Sequence, residues 1–220
     1  MKLYSYWRST STWRVRIALA WKGLPHEIVP VHLLDGGGQQ HGDAFRALNA
    51  AAQVPVLVLD ERGPDGAPRL LSQSMAILEY LEERHPAPPL LPADLWLRAR
   101  ARQLAQICVS GIQPLHNLTT INRVKEGGGD EGAWVHHFIA RGLASLERTA
   151  AETAATFLVG DAPSFAEVCL VPQLYAARRY SVDVAPFPTL ARVEATCAAL
   201  LAFRAAHADA QLDAPKTNVS

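Results

Sequence analysis

Apolar residues follow two different rhythms along this chain. Up to about residue 84, short apolar runs alternate with stretches of helical spacing. Leu3–Tyr6 predicts a strand, and Trp13, Ile17 and Trp21 predict a helix over Thr12–Lys22, stopped by Gly23 with Pro25 behind it. A second strand is expected at His26–Val31, and a short helix at Asp43–Leu48 after the flexible Gly36-Gly37-Gly38 segment. Val54–Leu59 reads as a third strand and Arg69–Leu71 as a fourth, separated by the turn at Gly63–Gly66. Ile77, Leu78 and Leu81 then mark a helix over Ser74–Arg84. The order βαβ followed by ββα predicts a small sheet with helices packed on it.

His85-Pro86-Ala87-Pro88-Pro89-Leu90-Leu91-Pro92 breaks the pattern, since four prolines so close together cannot continue a helix. Beyond it every apolar pattern is helical, over roughly 94–123, 131–153, 164–180 and 189–206. Gly127-Gly128-Gly129, Phe157–Pro163 and Pro186–Pro188 separate these helices, and the tail from Ala208 reads as frayed. The fold class is therefore α/β plus all-α, with a first domain over 1–85, a linker over 86–92 and a helical domain over 93–220.

Composition narrows the partners. Lys plus Arg equals Asp plus Glu at 21 each, so no global field favours nucleic acid or an anionic membrane. No run approaches the length of a membrane span. The three cysteines, Cys108, Cys169 and Cys197, are widely spaced in Ala/Leu-rich helical stretches and form no C-x-x-C pair or zinc pattern. Buried thiols in a reducing, cytoplasmic compartment are the reading. A small molecule or another protein is the expected partner, and no metal site is expected.

Candidate chemistry concentrates at the first strand-to-helix turn. Ser9-Thr10-Ser11-Thr12 places four hydroxyls in a row, flanked by Arg8 and Arg14. The first turn of a helix has free N–H groups and the positive end of the dipole, so this turn suits an anion or a thiolate. One hydroxyl would suffice as an ordinary N-cap. Val54-Pro55 opens an apolar strand, either as its first residue or as a cis proline that turns the Val54 backbone toward a ligand. Gln73-Ser74 precedes a helix, where Ser74 is an N-cap or the receiver of a carboxylate. Ser164-Phe165-Ala166-Glu167 matches a capping box and reads as folding chemistry. Arg178-Arg179 sits late in an apolar helix, and paired arginines are commonly a solvated face. His136-His137 are adjacent and do not share a helix face as metal ligands would. There is no P-loop and no dinucleotide-binding glycine pattern.

Taken together, these residues resemble a known family. Tyr6-Trp7-Arg8-Ser9-Thr10-Ser11-Thr12-Trp13-Arg14-Val15-Arg16-Ile17-Ala18-Leu19 resembles the active-site segment of zeta-class glutathione transferases, the maleylacetoacetate isomerases. So do Gly37-Gly38-Gln39-Gln40, Ala47-Leu48-Asn49, Gln53-Val54-Pro55, Gln73-Ser74, Gly111–Leu118 and Val171-Pro172-Gln173, in order and nearly end to end. The resemblance implies a thioredoxin-like, glutathione-binding first domain and a helical, substrate-binding second one, paired as a homodimer. It implies that Pro55 is cis, that Val54 offers backbone hydrogen bonds to glutathione, and that Gln73 and Ser74 hold its γ-glutamyl carboxylate. Gln40 and Gln113 match glutathione-contacting positions, and Arg14 flanks the same seat. Asn117, Leu118 and Thr119 match the segment lining the site, and Arg179 the arginine that receives a substrate carboxylate.

The activity implied is glutathione-dependent cis–trans isomerisation of a maleyl-type diketo acid, maleylacetoacetate to fumarylacetoacetate, in aromatic amino acid catabolism. Ser9 is the expected donor to the glutathione thiolate, with Thr10 and Ser11 assisting, and Arg8 and Arg179 bind the dicarboxylate substrate. The family typically carries Ser-Ser-Cys where this chain has Ser9-Thr10-Ser11. Chemistry that needs a protein thiol is thereby disfavoured, and chemistry in which glutathione supplies the thiol is not. Maleylpyruvate isomerisation, a general zeta-class transferase acting on α-halo acids, and a non-catalytic binding protein of the same fold are the alternatives.

Overall fold

The computed structural model describes residues 1–216, and residues 217–220, the end of the tail expected to fray, lie outside the described residues. The chain begins with strand β1 (Lys2–Ser5), helix α1 (Thr10–Trp21) and strand β2 (Glu27–Pro30). Two single 3-10 turns, Asp35–Gly37 and Gln39–His41, lead to α2 (Asp43–Leu48), the hairpin strands β3 (Val56–Arg62) and β4 (Pro68–Ser72), and α3 (Ser74–Arg84). The sheet order is β2-β1-β3-β4. β1 runs parallel to β2 and antiparallel to β3, with Leu3 opposite Ile28 on one side and Leu57 on the other. This is a four-stranded mixed sheet, as expected of the thioredoxin-like domain that the resemblance implies. The third strand starts two residues later than the apolar run suggests, because Pro55 has no N–H to give to a ladder. The Val54–Pro55 peptide bond is cis, as is Ala87–Pro88.

Helix α1 is buried on nearly every side, from Thr12 through Leu19, and even Arg14 and Arg16 lie inside. It is covered by α3 and by a short helix from the far end of the chain, α9 (Leu201–Ala205). At its C-terminal end the Lys22 ammonium is buried against the Glu82 carboxylate at 2.7 Å and donates to the carbonyls of His85 and Pro88. A buried ion pair is tolerated where further hydrogen bonds satisfy the charged groups, and these carbonyls take up the other donors of the ammonium. They fix the start of the proline-rich segment to the end of α1.

Contacts divide the chain into two units, Met1–Pro88 with Leu201 onward, and Pro89–Leu200. The second unit is helical: α4 (Leu95–Gln106), α5 (Leu118–Glu126), α6 (Glu131–Ala150), α7 (Phe165–Arg179) and α8 (Pro188–Ala198). One long helix over 94–123 does not form. Instead α4 widens into a π-turn at Ile107–Ile112, tightens into a 3-10 turn at Gln113–His116, and stops. Pro114 cannot continue the helical ladder, and the Asn117 side chain restarts the chain by capping α5. The helix expected over 189–206 is likewise two, α8 and α9, split at Ala199-Leu200.

The expected capping box is present in full. The Glu167 carboxylate accepts from Ser164 N–H and Oγ–H at 2.7 and 2.8 Å and from Leu158 N–H at 2.7 Å. Complete burial pushes this carboxyl up, and the hydrogen bonds from Leu158 and Ser164 oppose that shift. The tail is not frayed as far as it is described. Ala208 is fully buried, and Asp213 accepts a hydrogen bond from Trp7 N–H at 2.9 Å. Apolar burial of Phe203, Ala206 and Ala208 outweighs the polar look of the surrounding sequence. Among the described residues no helix is long and apolar enough to cross a membrane.

Candidate functional site

In the first unit the candidate residues gather around the ends of β1 and the approach to β3. Ser9 is the N-cap of α1, its Oγ accepting from Thr12 N–H at 3.4 Å. A hydroxyl that accepts in this way keeps its own proton to donate elsewhere. Thr12, the fourth hydroxyl of the row, is turned inward instead, bonding Tyr6 O at 3.1 Å and Ser9 O at 3.0 Å. It shapes the turn and is fully buried. Thr10 is buried and Ser11 partly exposed, both in the first turn of α1. Arg8 lies over the rings of Tyr6 and Trp7, 5.8 and 5.5 Å from their centroids. Such cation–π contacts hold a guanidinium in place while leaving its donors available.

Arg14 points into the protein. It is 1 % exposed, and Nη1 donates to Ser74 Oγ at 3.1 Å, while Nε and Nη2 have no hydrogen-bond partner among the described residues. Ser74 opens α3 and is itself buried. The residue before it, Gln73, has φ +67° and no side-chain cap, an uncommon conformation for a residue with a Cβ. The N-terminus of α3 thus presents a hydroxyl backed by a buried cation, a suitable arrangement for a carboxylate.

Tyr6, Val54 and Val56 share one hydrophobic cluster with Val31 and Phe45, and Leu33 packs against it. Gln40 joins this group through its amide, which donates to Leu33 O at 3.2 Å. Its Oε1 is buried without a partner. Gly38 makes room for that side chain: with φ +98°, a Cβ there would sit 2.6 Å from Gln40 Oε1. The sheet core therefore ties Gln40, the Val54–Pro55 segment and the Ser9 turn together, and the Arg14–Ser74 bond adds the start of α3.

In the second unit Gln113 opens the 3-10 turn and Asn117 closes it, with Asn117 Oδ1 occupied by Leu118 N–H at 3.0 Å. Thr119 is exposed on α5 and Leu118 partly so. The paired arginines separate into two roles. Arg178 is held by both oxygens of Glu194, which push its guanidinium further up in pKa. Arg179 is exposed and lies against Tyr180, Cζ 4.5 Å from the ring centroid and Nη2 2.6 Å from the hydroxyl. The Tyr180 ring faces His116 at 5.9 Å, and His116 Nε2 meets the Gln173 side-chain amide at 3.2–3.3 Å. Arg179 and the Gln113–Asn117 turn are therefore neighbours.

Two residues escaped the sequence reading. Arg16 is buried under the Ser9 turn, donating to Tyr6 O, Trp7 O, Ser5 Oγ and Ala206 O. Burial pushes its guanidinium down to about 9, with Asp213 opposing. The sequence reading gave Arg16 no role of its own, and Asp213 lay in the tail expected to fray. Cys108, Cys169 and Cys197 are buried and form no disulfide among the described residues, and all lie outside the first unit. Among the described residues no group of His, Cys, Asp or Glu could hold a metal ion.

Comparison with known proteins places this arrangement. A model of the glutathione S-transferase N-terminal domain matches residues 3–89. The maleylacetoacetate isomerase of Pseudomonas aeruginosa is 45% identical over 218 residues, 98% of this chain and 99% of that protein. A crystal structure of maleylacetoacetate isomerase from Anaeromyxobacter dehalogenans, with bound dicarboxyethyl glutathione and citrate, superposes with a TM-score of 0.87 at 52% identity, covering 97% of both chains. The holo structure of a maleyl pyruvate isomerase, described as a bacterial zeta-class glutathione transferase, gives 0.89 at 40% identity, covering 98% of this chain and 100% of that one. With the sheet order, the cis proline and relatives of this similarity over nearly its whole length, the chain belongs to the glutathione transferase family, among the zeta-class maleylacetoacetate isomerases.

Proposed function

We propose that this protein is a glutathione-dependent cis–trans isomerase that converts a maleyl-type diketo acid, maleylacetoacetate, to its fumaryl form. The observation that carries the reading is the pairing, in one unit, of a hydroxyl turn at a helix N-terminus with a second helix start where Arg14 stands behind Ser74. The residues fit a γ-glutamyl tripeptide. Ser74, Gln73 and the start of α3 suit its α-carboxylate end, while the unpartnered Gln40 Oε1 suits an N–H donor and the Val54 backbone the extended peptide. Pro55 shapes that backbone, and Gln113 is the further glutathione contact assigned by the family resemblance.

Glutathione, when bound, supplies a thiolate that adds to the activated double bond and is eliminated after rotation. Ser9 Oγ–H donates to the sulfur, with Thr10, Ser11 and the dipole of α1 lowering the proton affinity of a thiol whose ordinary pKa is about 8.5. Arg8 and Arg179 bind the substrate carboxylates and offset the charge that develops on the diketo oxygens. Asn117, Leu118 and Thr119 shape the substrate end. The chain has no cysteine in the turn, so the cofactor brings the thiol and Ser11 cannot form a mixed disulfide. That same feature supports a second reading, a maleylpyruvate substrate, alongside the likeness to the maleyl pyruvate isomerase. Family habit adds a homodimer, and buried cysteines that form no disulfide among the described residues suit the cytoplasm.

The test compares turnover of maleylacetone, maleylpyruvate, dichloroacetate and chlorodinitrobenzene with and without glutathione. Isomerisation should be strictly glutathione-dependent and fall at least about a hundredfold in Ser9→Ala and in Arg179→Ala. Unchanged rates in both variants refute the residue assignment, and failure to bind glutathione by calorimetry refutes the enzyme reading.

A further inference from the structure

The backbone just ahead of Ser9 is held by the other end of the chain. Tyr6 O accepts from Ser9 N–H, from Thr12 Oγ1 and from Arg16 Nη1. Trp7 O accepts from Arg16 Nη2 at 2.8 Å, and Trp7 N–H donates to Asp213 Oδ2 at 2.9 Å, across 206 positions of sequence. Arg16 also reaches that distant segment directly, Nε to Ala206 O at 3.1 Å. The Trp13 ring meets His207 edge to face at 4.8 Å. The second Asp213 oxygen is buried with no hydrogen-bond partner among the described residues.

A tether for a chain end needs apolar burial, which Phe203, Ala206 and Ala208 already supply. It does not need an ionised carboxylate aimed at one peptide N–H, with a lone oxygen left buried at a cost of about 1–3 kcal/mol. The peptide chosen lies two residues before Ser9, where a small rotation would swing the hydroxyl away from its target. A carboxylate also makes a stronger and shorter hydrogen bond to a backbone N–H than a neutral acceptor does.

We propose that Asp213 and Arg16 are positioning residues for the hydroxyl turn, so that the segment from Ala206 to Asp213 forms part of the cofactor seat. The inference rests on the reading of Ser9 as donor to the glutathione sulfur. Together the two side chains clamp the Trp7 backbone, Asp213 through its N–H and Arg16 through its carbonyl. The clamp sets the direction in which Ser9 leaves the backbone, and neither residue touches substrate.

The experiment uses the full chain carrying Asp213→Ala or Asp213→Asn, with Arg16→Lys as an independent arm should the alanine variant not fold. Three readouts are taken: hydrogen exchange of the Trp7–Ser9 amides without ligand, glutathione binding by calorimetry, and pH titration of the bound thiol by its ultraviolet absorbance. Asp213→Ala should lose protection at the Trp7 amide, and its bound thiol should titrate about one unit higher, a tenfold loss of thiolate at fixed pH. Asp213→Asn keeps an acceptor for Trp7 N–H and should recover most of both. Arg16→Lys cannot reach all of the arginine's acceptors and should shift the titration in the same direction as alanine. Wild-type exchange and titration in Asp213→Ala overturn the proposal, as does an asparagine variant impaired as severely as alanine. A wild-type protein that binds glutathione without ionising it refutes the sulfur-seat reading, and the exchange data alone then decide whether Asp213 holds the turn.

Discussion

Replacing Arg14 with methionine should make the protein more stable and its hold on glutathione weaker. The guanidinium is 1 % exposed, with one hydrogen bond to Ser74 Oγ and two N–H-bearing nitrogens without a partner. Each orphan donor is worth about 1–3 kcal/mol of lost stability, and the bond to Ser74 returns about 1–2. Methionine has similar length, carries no charge and packs in irregular space. Removing the orphans should therefore stabilise the ligand-free protein by about 1–4 kcal/mol. If the buried charge serves a carboxylate bound at Ser74, losing it should weaken glutathione by about 1.5–3 kcal/mol, a tenfold to hundredfold rise in Kd. Urea unfolding with and without saturating glutathione measures both quantities, because a ligand stabilises the folded state according to its affinity. A variant that is destabilised without ligand, or that binds glutathione as tightly as the wild type, refutes the argument.

Two further substitutions test the packing of the helical unit. Glu167→Ala removes the acceptor for two buried backbone N–H groups and the Ser164 hydroxyl, and should cost about 3–5 kcal/mol in urea unfolding. Glu167→Gln should fall between, and a loss under about 1 kcal/mol for alanine would contradict the capping role. Gly142→Ala would drive a Cβ into Cγ1 and Cδ1 of Ile112 where α6 crosses the π-turn. A loss of about 1–3 kcal/mol is expected, relieved in the double variant with Ile112→Ala, and a double-mutant cycle showing additivity would exclude that contact.

Local signals in the sequence were enough to locate most of the elements. Trp13 and Ile17 announced α1, although it begins at Thr10 and not at Thr12 because Ser9 caps it, and Ser164 with Glu167 announced α7, because capping is decided within four residues. The break after Gln106 was less legible. Ile107–Ile112 is as apolar and helix-compatible as what precedes it, and the widening to a π-turn accompanies the close approach of Ile112 to Gly142, thirty positions away. Arg14 and Arg16 show the same gap within the site. The sequence flags Arg14 beside the hydroxyl turn but not how deeply either arginine is buried, which α3 and α9 decide by covering the faces they occupy. Which hydroxyl of the row turns inward was equally invisible, since Thr12 is selected by the Tyr6 carbonyl above it.

The return of Leu201 onward to the first unit has a consequence for synthesis. A ribosome makes the Ser9 turn long before Asp213. The α/β half emerges with Arg16 already in α1 but with its partners Ala206 and Asp213 still unmade, while the helical unit can close around its own core. The first half is thus a waiting intermediate, its buried arginine face open to water until Ala206 and Asp213 have been made. Nascent chains stalled before Ala206 should be the form most readily cleaved by protease in α1 and most dependent on chaperones, and release of the last segment should be the step that seals the protein.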